Sequence, residues 1–234
     1  MLRDSLTALR AEVSACRACP RLVAWREQVG REKRAAYREE EYWARPVPGF
    51  GDPKATVLIV GLAPAAHGGN RTGRIFTGDR SGDWLFGALH RAGLANQPTS
   101  TSRDDGLRLQ GVYIAAAVRC APPHNKPAPD ERSRCLPYLA RELALLRQVQ
   151  VIVVLGAYAY DAVGRVLAEI GQPLPRPRAR FGHGVEVPAG RYRILCSYHP
   201  SQQNTFTGKL TEPMFDAVFT RAGQVVSATS SPTA

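Results

Sequence analysis

Four short apolar runs, Thr56–Val60, Gly111–Val118, Val149–Leu155 and Arg191–Ser197, constrain the fold of this chain more than any other feature. Each is bounded by polar or turn-forming residues and has strand rather than helix length, so each reads as a buried strand. Between them, Asp83–Ala92, Leu136–Gln148 and Tyr158–Ile170 carry apolar residues at helical spacing. Strands alternating with helices predict an α/β fold: a three-layer sandwich with a central, mostly parallel four-stranded sheet flanked by helices. Open sheets of this kind bind ligands beyond the carboxyl ends of their strands. The loops after Val60, Val118, Leu155 and Ser197 are therefore where a site is expected.

The 234 residues suffice for one sizeable core, and residues 1–223 are expected to form a single domain. Residues 1–45 read as an N-terminal helical part. Leu2, Leu6, Leu9 and Val13 have amphipathic spacing, and 21–42 is charge-rich enough for a solvated helix or arm. The prolines and glycines of 45–53 break any helix, 97–106 and 171–180 read as surface loops, and 224–234 as a disordered polar tail. No apolar run approaches the roughly 18–20 residues that cross a membrane, and the N-terminus is charged; a soluble, cytoplasmic monomer is the expectation. The net charge of +11 favours a polyanionic partner. Nearly all the basic residues are arginine, as a biased base composition alone would produce, so charge does not decide the matter.

Cys16 and Cys19 form a C-x2-C pair followed by Pro20, Cys120 ends a predicted strand, and Cys135 lies near the start of the following helix. Four thiolates from separate segments suit zinc or an iron–sulfur cluster, and spacing does not separate the two. The alternative is that these cysteines are small buried hydrophobes. That is the reading for Cys196, inside an apolar strand.

The loop after the first strand, Gly61 to Asp79, is rich in glycine and arginine, a composition suited to phosphate. Its Phe76 is placed to stack on a planar base or to anchor the loop. Asp79 is a helix N-cap or a catalytic carboxylate. Asn125, in the proline-rich loop after Cys120, can read an amide-like base edge or simply serve a turn. His199, followed by Pro200 at the last strand's carboxyl end, is read as functional because of that position.

Gly61-Leu62-Ala63-Pro64-Ala65, the run Thr72–Asp79, Ser197-Tyr198-His199-Pro200-Ser201 and the four cysteines together resemble the uracil-DNA glycosylase superfamily, closest to its broad-specificity family 5. The family-4 pattern has a Glu near Leu62 and an Asn near Ala116; this chain has neither, and those roles do not carry over. The resemblance implies an enzyme that excises uracil, and other deaminated bases such as hypoxanthine or xanthine, from DNA. It implies a 4Fe–4S cluster on Cys16, Cys19, Cys120 and Cys135, read as a structural staple without a redox step. It also implies that Phe76 stacks on the flipped base, Asn125 bonds its edge, and Ala63, Pro64 and Ala65 line the pocket. His199 would stabilise the departing base or hold the adjacent phosphate. Asp79 would activate water or offset the sugar's positive charge. Two other readings are a zinc-bearing nucleic-acid-binding module and a nucleotide hydrolase that uses the Gly-rich loop for phosphate.

Overall fold

The computed structural model of the chain describes residues 4–230. All four expected strands are present: β2 (Val57–Gly61), β3 (Val112–Ala116), β4 (Val151–Leu155) and β6 (Tyr192–Ser197). They pair in parallel in the order β3-β2-β4-β6. The sheet has six strands rather than four, because β1 (Phe50–Gly51) and β5 (Glu186–Ala189) add antiparallel edges to β3 and β6. Both edges are short, and β5 carries Pro188, which lacks the N–H that an interior strand would need.

The central strands are buried on both faces, as parallel sheets require. Along β2 the side chains alternate between two cores. Leu58 and Val60 face a layer of α1 (Leu6–Ala15), α5 (Pro129–Leu145) and α6 (Ala157–Glu169). Val57 and Ile59 face a layer of α4 (Arg80–Arg91) and α8 (Glu212–Ser230). This is the expected three-layer sandwich.

The charge-rich stretch 21–42 is helical only in α2 (Pro20–Glu32), with a 3-10 turn at Ala35–Tyr37. The tail is a correction. α8 runs to Ser230 because Phe215, Val218, Phe219 and Ala222 recur at helical spacing and pack on β4 and β6, which carries 224–230 along as helix. The expectations for Leu2 and for 231–234 fall outside the described residues.

The strand order places a switch point at β2. The chain leaves β2 for β3 on one side and later returns to β4 on the other. Ligand crevices in doubly wound sheets form at such a point. The loops after β2 and β4 begin there, and the loop after β6 begins one strand further along.

Candidate active site

Phe76 and His199 meet at the carboxyl edge of the sheet, their rings 5.8 Å apart and tilted by 31°. Phe76 adopts φ +54°, a left-handed backbone that costs a non-glycine residue energy and turns its ring back over β2. The edge of the ring lies over Gly61, where a Cβ would stand 2.8 Å from it. It is 6% exposed and packs with Ile75 and Leu85, so anchoring and a place in the site coincide in one side chain. His199 packs against Gly156, the first residue after β4, whose N–H is donated to the carbonyl of Ser197 at 2.8 Å. Burial pushes the imidazole down to about 4, so it is neutral at neutral pH and acts as a hydrogen-bonding group rather than a cation.

Asp79 caps α4, and the cap explains its geometry. Its Oδ1 accepts the N–H of Gly82 at 3.0 Å, while Oδ2 turns away and lies against the Cα of Gly68. One oxygen thus serves the helix and the other faces the loop. Burial raises the carboxyl above its ordinary value and Asp83 pushes the same way, whereas the N–H groups of Gly82 and Ser81 and the charge of Arg71 oppose them. A groove of about 560 Å³, lined in part by Tyr37, Glu40, Arg71, Arg80 and Ser100, opens beside it.

Ala63, Pro64 and Ala65 form the turn between β2 and α3 (Gly69–Thr72). The Ala65 carbonyl accepts the N–H of Asn70 at 3.0 Å, and Pro64 packs on Gly69. Asn125 sits apart from Phe76, Asp79 and His199 in sequence and stands exposed at the tip of the loop after β3. Its φ is +56°, following His124 at +52°, and its side-chain amide has no protein partner among the described residues. Two consecutive left-handed non-glycine residues hold that tip in a sparsely populated conformation, a recurrent feature of functional loops.

The loop arginines are not the phosphate ligands the composition suggested. Arg74 is buried and held by Asp105 at 2.7 Å and by Ser100, and Arg71 is buried against Glu40. Arg80 remains exposed, its guanidinium over the ring of Phe206, itself 66% exposed on α7 (Gln202–Phe206) just after His199. Sequence reasoning gave Phe206 no role; no periodicity marks a lone exposed aromatic.

Cys19, Cys120 and Cys135 share a small apolar cluster with Leu22 and Val118, on which Ala63 and Tyr158 pack. Cys16, less buried, is close enough to raise the other three thiols electrostatically. Burial is the main cause of those upward shifts and takes Cys120 to about 12. Arg26, 2% exposed, donates from Nη1 to the Cys120 sulfur at 2.9 Å. Three thiols in one pocket, with Cys16 near them and the buried Arg26 beside Cys120, are the soft donor type that a metal–thiolate group uses. Among the described residues, no group of three or more His, Cys, Asp or Glu is placed to hold a metal ion. Cys196 is fully buried in the core, as its strand position indicated.

A central parallel sheet with Phe76 and His199 meeting at its carboxyl edge, and Asp79 capping α4 in the same loop as Phe76, is the frame of an α/β enzyme. The profile of the uracil DNA glycosylase superfamily matches residues 48–222. A type-5 uracil-DNA glycosylase of Mycobacterium tuberculosis is 54% identical over 221 residues, 93% of this chain and 81% of that protein. One of Thermus thermophilus is 55% identical over 212 residues, 90% of this chain and 93% of that protein. A type-4 uracil-DNA glycosylase of Pyrobaculum aerophilum is 30% identical over 162 residues, 69% of this chain and 74% of that protein. The chain belongs to the uracil-DNA glycosylase superfamily and, within it, to the type-5 uracil-DNA glycosylases.

Proposed function

We propose that this chain hydrolyses the N-glycosidic bond of uracil, and of other deaminated bases such as hypoxanthine or xanthine, in DNA as the first step of base-excision repair. The observation that carries the reading is the meeting of Phe76 and His199 at the carboxyl edge of the sheet, with Asp79 three residues beyond Phe76 at the N-cap of α4. The names of its relatives point to uracil. The C1′–N bond breaks with its electron pair on the base, water supplies hydroxide to C1′, and the water's remaining proton neutralises the departing base. The target must first rotate out of the stack. Phe76 offers its face to the flipped base, and the free amide of Asn125 reads its edge. His199, neutral, donates an N–H to the charge developing on the base, the kind of preorganised donor that contributes most to catalysis. The free oxygen of Asp79 faces the sugar, where it orients water or offsets positive charge. Alanines at 63 and 65 leave the pocket without a polar gate, which suits several bases rather than one.

Alkali-developed cleavage of duplexes holding uracil, hypoxanthine or xanthine tests this. Strand scission at the uracil supports the reading, and intact uracil duplex would end it. His199→Ala is expected to slow single-turnover excision by about 10–1,000-fold, on the scale of one lost donor.

The four cysteines are proposed to hold a 4Fe–4S cluster as a structural staple. The donor set and the buried Arg26 beside it support this, and Ala63 ties the cluster to the loop that carries the site. A brown protein absorbing broadly near ~400 nm is expected, since iron–thiolate groups absorb there. Colourless protein with stoichiometric zinc would overturn the assignment.

A further inference from the structure

One buried cation at the site has no part in the chemistry above. Arg71, in α3, is 7% exposed, and its guanidinium lies 3.9 Å from the centroid of the Tyr37 ring. Its Nε donates to the carbonyl of His67 at 2.8 Å, its Nη2 to the carbonyl of Gly78 at 2.9 Å, and its Nη1 to the Glu40 carboxylate. The two backbone acceptors are the significant ones. His67 precedes Gly68, the residue on which the Asp79 carboxylate rests, and Gly78 precedes Asp79 itself. A single rigid fork therefore ties together the backbone that carries the carboxylate and the backbone that supports it. Gly78 has φ +71°, and a Cβ there would collide with Nη2, so the sequence leaves room for the fork.

We propose that Arg71 is a positioning residue for Asp79, clamping the backbone on both sides of its carboxylate, with Glu40 as the counter-charge that limits the guanidinium's field at the site. This rests on the reading of Asp79 as a group that works ionised. Burial and the neighbouring Asp83 favour the neutral acid; the N–H groups of Gly82 and Ser81 oppose them, and Arg71 adds a positive charge on the same side. The other polar groups around the site do not replace it. Arg80 is exposed on the groove's rim, and the His67 imidazole, hydrogen-bonded to Tyr42, is held below its ordinary value by burial and by Arg34 and Arg71. Lysine would keep the charge at position 71 but not the fork that reaches both carbonyls.

The test is single-turnover excision of uracil from a duplex across roughly pH 4.5–8, where carboxylates and histidines titrate. Arg71→Gln should move the acid limb of the rate upward, because a positive charge near the carboxylate is lost. Glu40→Gln should move the limb downward, because the guanidinium's charge is then unopposed. Glu40 is partly exposed, so that variant does not depend on a buried residue being replaced. Arg71→Lys should leave the limb in place and lower the rate at every pH. A uniform loss in Arg71→Gln with the limb fixed, or a limb unmoved in Glu40→Gln, overturns the proposal. Asp79→Asn separates the two ideas. A wild-type rate there sinks the role of Asp79 itself, whereas a lost rate with unmoved limbs in the other variants removes Arg71 and Glu40 alone.

Discussion

The carboxylate of Asp79 occupies the space in which a Cβ on Gly68 would stand, so the loop after β2 can carry no side chain at position 68 without moving Asp79. Gly68→Ala is expected to displace the carboxylate rather than the buried strand behind it. A displacement of about 1 Å costs on the order of 100-fold in rate. Single-turnover excision should fall by about that factor, while the thermal midpoint changes no more than overpacking by one methyl explains, about 1–3 kcal/mol. Unchanged excision in a folded Gly68→Ala protein would show that the position of Asp79 is not critical.

Phe76 is a buried core side chain as well as the proposed stacking group, and its substitution should show the first of these directly. With its ring buried between Gly61 and the α4 layer, Phe76→Ala is expected to lower stability by about 3–5 kcal/mol, the usual cost of removing a buried phenyl group. Urea denaturation measures this directly. A loss below about 1 kcal/mol would mean that the ring contributes little to packing. Rate measurements on the variant are informative only at temperatures where it remains folded.

The parallel heart of the sheet was legible because each of its strands is buried on both faces and so appears as an unbroken apolar run. The edges were not. Phe50–Gly51 lies among prolines and glycines, and Glu186–Ala189 contains Pro188, so neither shows the pattern of an interior strand. At the candidate site, His199 is read from its place at a strand end, and Phe76 and Asp79 from the loop after the first strand; the structure sets Phe76 against His199 and puts Asp79 at the N-cap of α4. Arg71 and Arg74 were misread as phosphate ligands because their partners, Glu40 and Asp105, lie about 30 residues away in segments that read as an arm and a surface loop. Composition shows that a charge exists but not which carboxylate will bury it. The cysteines are read as a set from the C-x2-C pair and two further cysteines; the structure brings Cys19, Cys120 and Cys135 into one cluster, with Cys16 near them.

Arg119 and Glu142 form a fully buried pair behind the cysteine pocket, each 1% exposed and doubly hydrogen-bonded to the other. Removing one partner leaves the other charge uncompensated in the core. Glu142→Ala should therefore cost about 3–5 kcal/mol, whereas exposed pairs such as Arg17–Glu27 contribute little. Chemical denaturation of Glu142→Ala beside Glu27→Ala tests the contrast. Equal losses in the two variants would refute it. Because Arg119 adjoins Cys120, the Glu142 variant is also expected to lose its chromophore earlier on heating if the pocket holds an iron–sulfur cluster.

Burial holds His199, His183 and His67 below the ordinary histidine value, His199 at about 4. Unfolded, each would titrate near ~6.5. Between those values the unfolded chain takes up protons that the folded chain refuses, so stability is complete above about pH 6.5 and is lost as the pH falls toward 4. Carboxylates held low by arginines, such as Asp105 and Asp161, lose their contribution only below their unfolded values near ~4. Asp79 has the opposite sign: its raised carboxyl binds a proton in the folded state first and so offsets part of the loss. The urea midpoint should accordingly drop between about pH 7.5 and about pH 5 at constant denaturant slope. The drop should be shallower in His199→Gln and steeper in Asp79→Asn. A midpoint that stays level over this range in all three proteins would mean that the buried imidazoles are not refusing protons and that His199 does not face the substrate as a neutral donor.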